Sequence, residues 1–324
     1  MKAITYLKYG NPEVLEYSEI AKPKLKPNEV LIKVQAASVN SRDWDMLIGH
    51  PYVYRLLFGL FKPRYRIIGT DISGIIEETG DEVSDWKPGD VVYGANPDGG
   101  YGAFAEFISL PSNKIVRKPN EMTMEEAAAI PEAGLLAYQA LYLKRKILPG
   151  DKVLINGAGG GAGTYAVQMA KGMGALVTAV DSEIKVSAIR RLGADEVLNY
   201  QQIDFAQKEG KYDLILDFVA TRTFFQIRKK LNPNGVYIVV GGSVTKILSL
   251  MFWAALLPKS QRKKYSLLAY ELNANHLKTI NELYTAKIMK PIIDKVFALQ
   301  DASSAMDYFN RGSFVGKIVL KVQS

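Results

Sequence analysis

Ala158, Gly160 and Gly163 follow directly on the apolar run Val153-Leu154-Ile155 and open into a helical pattern over 162–171. Strand, glycine turn and helix in that order suit one chemistry in particular, the holding of a dinucleotide pyrophosphate. A turn without side chains lets the backbone approach the phosphates, and the free N–H groups and positive dipole end of the helix face their charge. Gly157, Ala158, Gly160, Gly161, Ala162 and Gly163 are therefore the predicted phosphate contacts. Ala158 stands where the usual pattern has its first glycine, and glycine-rich turns also arise as plain tight turns. The strand before this turn and the helix after it favour the nucleotide.

Other candidates fall at the ends of later strands. Asp181 follows Val180, where an acid takes the hydroxyls of the adenine ribose and repels the extra phosphate of NADP. Ser182 and Lys185 come next and can bind that same phosphate. The three residues also read as an Asp-Ser cap on the helix that carries Arg190 and Arg191. The sequence thus predicts NAD(P)H and leaves NADH against NADPH open. Phe218, Val219, Gly241 and Gly242 end the fourth and fifth strands of the same pattern, where a ligand crosses the carboxyl ends of a parallel sheet, and Tyr200 is placed with them.

Two textures of sequence supply these positions. Residues 1–122 hold short extended runs such as EVLIKVQAASVN, GTDISGIIEETG and AFAEFISLP, split by Gly, Pro and Asp, and predict a β-rich domain. From Met124 the pattern changes. MEEAAAIPEAGLLAYQALYL reads as helix, and strands then alternate with helices up to Val240, which means βαβ units and a parallel sheet covered on both faces. A helix over 276–286 and a strand over 316–322 return the tail to the first domain. The expected division is 1–122 with 272–324 around a nucleotide-binding domain at 123–271, an α/β chain overall.

Composition removes several alternatives. With 324 residues, 48% hydrophobic and 23% charged, the chain is long enough for two globular domains. It has no cysteine, hence no disulfide, thiolate nucleophile or Cys-ligated zinc, and only two histidines, His50 and His276, too few for a three-histidine metal site. The opening MKAITYLKYG reads as a strand rather than a secretion signal, and the expectation is a cytoplasmic protein. A net charge of +8 can steer an anionic cofactor, suit an anionic membrane surface or nucleic acid, or be a solvated basic surface. No aromatic–basic RNA motif accompanies it, which weighs against nucleic acid.

In sequence the chain resembles the medium-chain dehydrogenase/reductase superfamily, and within it the zinc-free quinone-oxidoreductase-like (zeta-crystallin-like) enzymes. The carriers are Tyr9-Gly10-x-Pro12-x-Val14-Leu15, Ser38-Val39-Asn40-x-x-Asp43, Gly69-Thr70-Asp71-x-x-Gly74 and Lys87-x-Gly89-Asp90-x-Val92. Further on come Gly134-x-x-Ala137, the glycine turn with Ala166-Val167-Gln168, Leu192-Gly193-Ala194-Asp195 and Gly316-Lys317-Ile318-Val319-Leu320. The resemblance spans essentially the whole chain and implies a GroES-like substrate domain, split between both ends, around a Rossmann domain. It also implies that Asn40 stands where zinc-dependent relatives have a Cys ligand and Thr70 where they have a His ligand. Neither an amide nor a hydroxyl replaces those as a tight zinc ligand, so no metal is expected.

The chemistry implied needs no Lewis acid: hydride passes from nicotinamide C4 to an electron-poor carbon of a quinone or an α,β-unsaturated carbonyl. Asn40 is expected to orient the nicotinamide or polarise a substrate oxygen. Tyr52 and Tyr54 can contact substrate or donate a proton, or be simple aromatic packing near a loop. Lys317 can reach the cofactor side. Leu136 replaces the threonine of many relatives near the nicotinamide, and Glu132 has no role assigned by sequence. Two segments, 52–64 and 247–264, join apolar aromatic runs to basic ends. They read as a cover over a hydrophobic cleft, a contact in a homodimer, or a peripheral lipid contact, and point to a lipophilic small-molecule substrate. A metal-free alcohol dehydrogenase, or a nucleotide-binding protein that associates with RNA or membrane and has little catalysis, are the competing readings.

Overall fold

The computed structural model describes residues 1–96 and 102–322, with backbone but not side chains for Val53, Tyr54 and Leu57. The chain forms two compact units, one of residues 1–133, 272–285 and 291–324, the other of residues 134–271 and 286–290.

The first unit begins with β1 (Lys2–Thr5), β2 (Glu16–Glu19) and the ten-residue β3 (Glu29–Ser38), followed by α1 (Ser41–Ile48) and α2 (Val53–Phe58). β4 (Asp71–Thr79), β5 (Val91–Ala95), β6 (Phe107–Pro111) and β7 (Ile115–Arg117) lead to α3 (Met124–Ala128). The helix expected from residue 124 onward is broken. Pro131 has no N–H to donate and starts a new helix, α4 (Pro131–Tyr138), whose last turn widens into a π-helix over Gln139–Lys144. α3 carries a Thr123/Glu126 capping box, with Glu126 N donating to Thr123 Oγ1 at 3.1 Å and Thr123 N to Glu126 Oε2 at 2.9 Å. Ala128 and Ala129 pack with Ala36 of β3, and the unit therefore runs past the expected edge at residue 122.

The second unit alternates as the sequence predicts: β8 (Lys152–Asn156), α5 (Gly161–Gly172), β9 (Leu176–Asp181), α6 (Glu183–Arg191), β10 (Glu196–Asn199), β11 (Tyr212–Asp217), α7 (Phe224–Lys230) and β12 (Leu231–Val239). Then come α8 (Val244–Ala255), α9 (Lys259–Arg262) and β13 (Tyr265–Leu267). All six strands are parallel, in the order β10-β9-β8-β11-β12-β13. The strand order reverses next to β8, the place where a doubly wound sheet opens a crevice at its carboxyl ends. Val153, Leu154 and Ile155 are fully buried there, as a strand covered on both faces requires.

The tail contributes α10 (Ala274–Thr285), β14 (Ile293–Ala298), α11 (Ala302–Arg311) and β15 (Lys317–Lys321) to the first unit. Its sheet runs β14-β15-β3-β4-β5-β7, with β6 also paired to β3. The core there is built around Val30, Ile32, Val34, Ile72 and Leu320, with the rings of Tyr6, Phe104 and Phe314 among them. The fold is a GroES-like domain together with a Rossmann-type parallel sheet.

Candidate functional site

In the second unit, β8 ends at Asn156 and the chain turns at Gly157, whose φ of +87° is a conformation that favours glycine. Gly157 N and Ala158 N both donate to Val180 O on β9, at 2.9 and 3.2 Å, which pins the turn to the neighbouring strand. A Cβ at Gly163 would lie 2.1 Å from Gly157 O, so only glycine lets α5 pass this close to the turn. At Gly160 a Cβ would meet nothing nearer than Gly157 O at 3.5 Å, so the backbone here faces open space. The helix that follows is twelve residues long and starts at Gly161 with no side-chain cap, leaving its first N–H groups for a ligand. This cradle fits a pyrophosphate.

Asp181 closes the turn from β9. Its Oδ2 accepts from Gly159 N at 2.7 Å and its Oδ1 from Ser182 N at 2.8 Å, with Lys185 Nζ 3.7 Å from Oδ1. Asp181 and Lys185 are both buried, and the Lys185 stem lies against Gly159, where a Cβ would come within 2.7 Å of its Cδ. Ser182 is the N-cap position of α6 but accepts no capping bond through its side chain. Tyr200 and Val219 are exposed and Leu136 is half-buried. Gly242 has φ +108°, and a Cβ there would collide with Val219 O at 2.0 Å.

Sequence reasoning did not assign a role to Asp217, at the end of β11. Its Oδ1 accepts from Asn156 Nδ2 at 2.8 Å, Val219 N at 2.9 Å and Ala220 N at 2.8 Å, and its Oδ2 from Tyr237 OH at 2.9 Å. One buried carboxylate thus ties three adjacent strand ends and shapes the loop that carries Phe218 and Val219. The available signal was an acid at the end of an otherwise apolar strand.

In the first unit, β-sheet register brings a second set together. Ser38 pairs with Val319 of β15 and with Asp71 of β4, so the residues just beyond, Asn40, Thr70 and Lys317, converge at one edge. Lys317 Nζ donates to Asn40 Oδ1 and to Val39 O at 3.0 Å, and lies 4.0 Å from Asp71 Oδ2. Asn40 Nδ2 donates to Thr70 Oγ1 at 3.0 Å, and Thr70 Oγ1 to Asp71 Oδ1 at 3.1 Å. Asn40 also begins α1. Its N–H is taken by Asp43 Oδ2 at 2.8 Å, while its side-chain Nδ2 donates into this network.

Glu132, left without a role by the sequence, belongs here. Its N–H donates to Asp71 Oδ2 at 3.1 Å, and its Oε2, which has no hydrogen-bond partner, is 3.5 Å from Arg42 Nε. Asp43 Oδ1 is likewise buried without a partner. Three carboxyls, Asp43, Asp71 and Glu132, therefore share an enclosed space with one ammonium. Burial raises the pKa of all three and lowers that of Lys317, because loss of water penalises each charged form. Glu132 pushes Asp43 further up, whereas Arg42 pulls Glu132 back and Lys317 pulls Asp71 back. Asp45, one turn along α1, is raised to about 7, mainly by burial and then by Glu132.

Tyr52 is not drawn into this set. It is 70% exposed, edge-on to His50 at 5.4 Å and under the Arg55 guanidinium at 5.1 Å, as in the packing alternative. The side chain of Tyr54 lies outside the described residues.

Two family models match the chain. The alcohol dehydrogenase GroES-like domain matches residues 26–120, and the zinc-binding dehydrogenase family matches residues 192–320. The chain is 32% identical to the mitochondrial NAD(P)H oxidoreductase RTN4IP1 of Mus musculus, over 97% of this chain and 87% of that protein. It is 29% identical to 2-methylene-furan-3-one reductase of Solanum lycopersicum, over 99% of this chain and 79% of the relative. Among solved structures, the quinone oxidoreductase of Coxiella burnetii superposes with a TM-score of 0.90 at 29% identity, covering 100% of this chain and 99% of that one. The zinc in the name of the second family finds no group of three or more His, Cys, Asp or Glu side chains that could hold it among the described residues. The amide of Asn40 and the hydroxyl of Thr70 are spent on each other and on Lys317 and Asp71, and an ammonium occupies the same edge.

Proposed function

The chain belongs to the medium-chain dehydrogenase/reductase superfamily, in its zinc-free quinone-oxidoreductase-like branch, and from that premise we propose that it reduces quinones or α,β-unsaturated carbonyls with NAD(P)H. The observation that supports the reading is the hydrogen-bonded network at Asn40, which holds a polar group where the sequence resemblance implies ligands in metal-dependent relatives.

A bound nicotinamide supplies the hydride, and the protein's share is holding, orientation and protons. The backbone of Gly157–Gly163 would hold the pyrophosphate, with Asp181 and Lys185 at the adenosine ribose and Phe218, Val219, Gly241 and Gly242 along the strand ends. Leu136 and Tyr200 complete the proposed contacts. Lys317 fixes the amide of Asn40 with its oxygen inward and Thr70 takes one of its two N–H donors, so the second N–H is the one that would meet a carbonyl oxygen. Charge that develops on such an oxygen is stabilised by a donor already in place, which needs no reorganisation during reaction.

Reduction of an enone or quinone also consumes a proton. Burial raises the pKa of Asp43, Asp71 and Glu132, with Lys317 and Arg42 opposing it, so a carboxyl of this group is the proposed source of that proton. Glu132, the least enclosed of the three, would be its outlet. Asp181 favours NADH and Lys185 NADPH; their ion pair makes the ratio between the cofactors tunable rather than absolute. Exposed Tyr52 suits a substrate contact better than proton donation. Oxidation of NADH or NADPH by a panel of quinones and enones tests the reading. Oxidation by simple ketones alone would favour a metal-free alcohol dehydrogenase, and cofactor binding without turnover a binding protein.

A further inference from the structure

The net positive charge of this protein arises in one stretch. Between Asp217 and Glu271 the chain has nine Lys or Arg and no Asp or Glu, while the remainder holds 32 basic residues against 33 acidic ones. The entire excess of +8 therefore resides within the second unit, from the end of β11 to just beyond β13.

The same stretch carries an apolar ridge. α8 buries Leu250 and Ala254 and turns Leu248, Phe252 and Leu256 outward, at four-residue spacing on one face, with 64%, 59% and 64% of each exposed. Phe225 of α7, 51% exposed, extends the ridge through Trp253, its ring 5.1 Å away. Pro258 ends the apolar run, and α9 sets Lys259 and Arg262, with Lys263 next in the chain, at the end of the ridge. Lys246 lies near its start, and all four cations are exposed. No helix among the described residues is long and apolar enough to cross a membrane.

We propose that this face docks on an anionic phospholipid bilayer, with the ridge entering the headgroup–acyl boundary and the cations meeting lipid phosphates and carboxylates. An apolar helix face on a segment whose charged side chains are all positive matches that surface on both counts. A second copy of the chain would bring the same positive charge against itself. Nucleic acid would reward the cations but leave three exposed large apolar side chains without use. Enzyme held at a bilayer also meets lipophilic substrates where they partition.

The test is co-sedimentation of the full chain with vesicles of phosphatidylcholine alone and of phosphatidylcholine with 30% phosphatidylserine, at low and high salt. Binding to the anionic vesicles alone is expected. It should fall at least ten-fold in Lys259→Gln/Arg262→Gln/Lys263→Gln and in Leu248→Ser/Phe252→Ser/Leu256→Ser, while both variants keep the wild-type melting temperature within a few degrees. Sedimentation equilibrium and binding to a single-stranded RNA are measured on the same samples. Failure of the wild-type chain to bind anionic vesicles would overturn the proposal. So would a dimer that the serine variant dissociates, or RNA binding that the glutamine variant loses while vesicle binding is unchanged.

Discussion

Asn40 and Thr70 are bonded to each other, Nδ2 to Oγ1 across 3.0 Å, at the two positions where the sequence resemblance implies ligands in zinc-dependent relatives. The bond joins the start of α1 to the residue before β4, and Lys317, at the start of β15, anchors the other end of the amide. The polar edge of the first unit is thus complete in itself. Substitution of Asn40 by Ala leaves Thr70 and Lys317 short of a partner. It should lower kcat/KM for an enone by about 100-fold, the scale of one lost oxyanion donor, and stability by about 1–3 kcal/mol. Steady-state kinetics and urea unfolding check the two separately.

Lys317 and Asp71 should behave as an energetic pair, both being almost wholly enclosed and 4.0 Å apart. Lys317→Met alone leaves carboxyls without their one enclosed cation and should cost about 3–5 kcal/mol. Adding Asp71→Asn removes part of the conflict, so the double variant should be less destabilised than the sum of the singles. A double-mutant cycle by urea unfolding measures this coupling.

Asp45 gives a pH signature. Its folded pKa of about 7 lies above its ordinary value of 3.8, so the folded form keeps the proton that the unfolded form releases. The group costs nothing below about pH 4, and its penalty grows as pH rises to about 7, then levels off. Asp45→Asn should therefore match wild type at pH 4 and exceed it by about 1–2 kcal/mol at pH 8, a figure reduced for the partial exposure of the site. Thermal or urea melts across that range show whether the two curves separate in this direction.

Asp181 and Lys185 act in opposite senses on the 2′-phosphate. Asp181→Ser removes the repelling charge and should raise the NADPH-to-NADH ratio of kcat/KM by about ten-fold, and Lys185→Ala should lower it by a similar factor. Both ratios follow from parallel initial-rate measurements with the two cofactors.

The alternation of strand and helix from Lys152 to Val239 was legible because each buried strand is an apolar run bounded by its own turn. The glycine turn was legible for a related reason, since Gly157 and Gly163 each meet a requirement, positive φ or close approach, that other residues fail. The single helix expected from Met124 hid its break, since apolar residues continue through Pro131 in both helices. The carboxyl cluster was only partly readable. Asp43, Asp71 and Glu132 are far apart in sequence, and only the pairing of β3 with β4 and β15, together with the turn at Pro131, brings them together. Tyr52 shows the reverse: proximity in sequence to Asn40 placed it near the chemistry, but α2 leaves it on the surface.

The central claim is reduction without zinc, and the most direct measurement is NADH and NADPH oxidation by a panel of quinones and enones in the presence of EDTA. The account predicts turnover that chelation leaves unchanged and added zinc does not raise. Turnover that EDTA abolishes and zinc restores, or none across the whole panel, would contradict it.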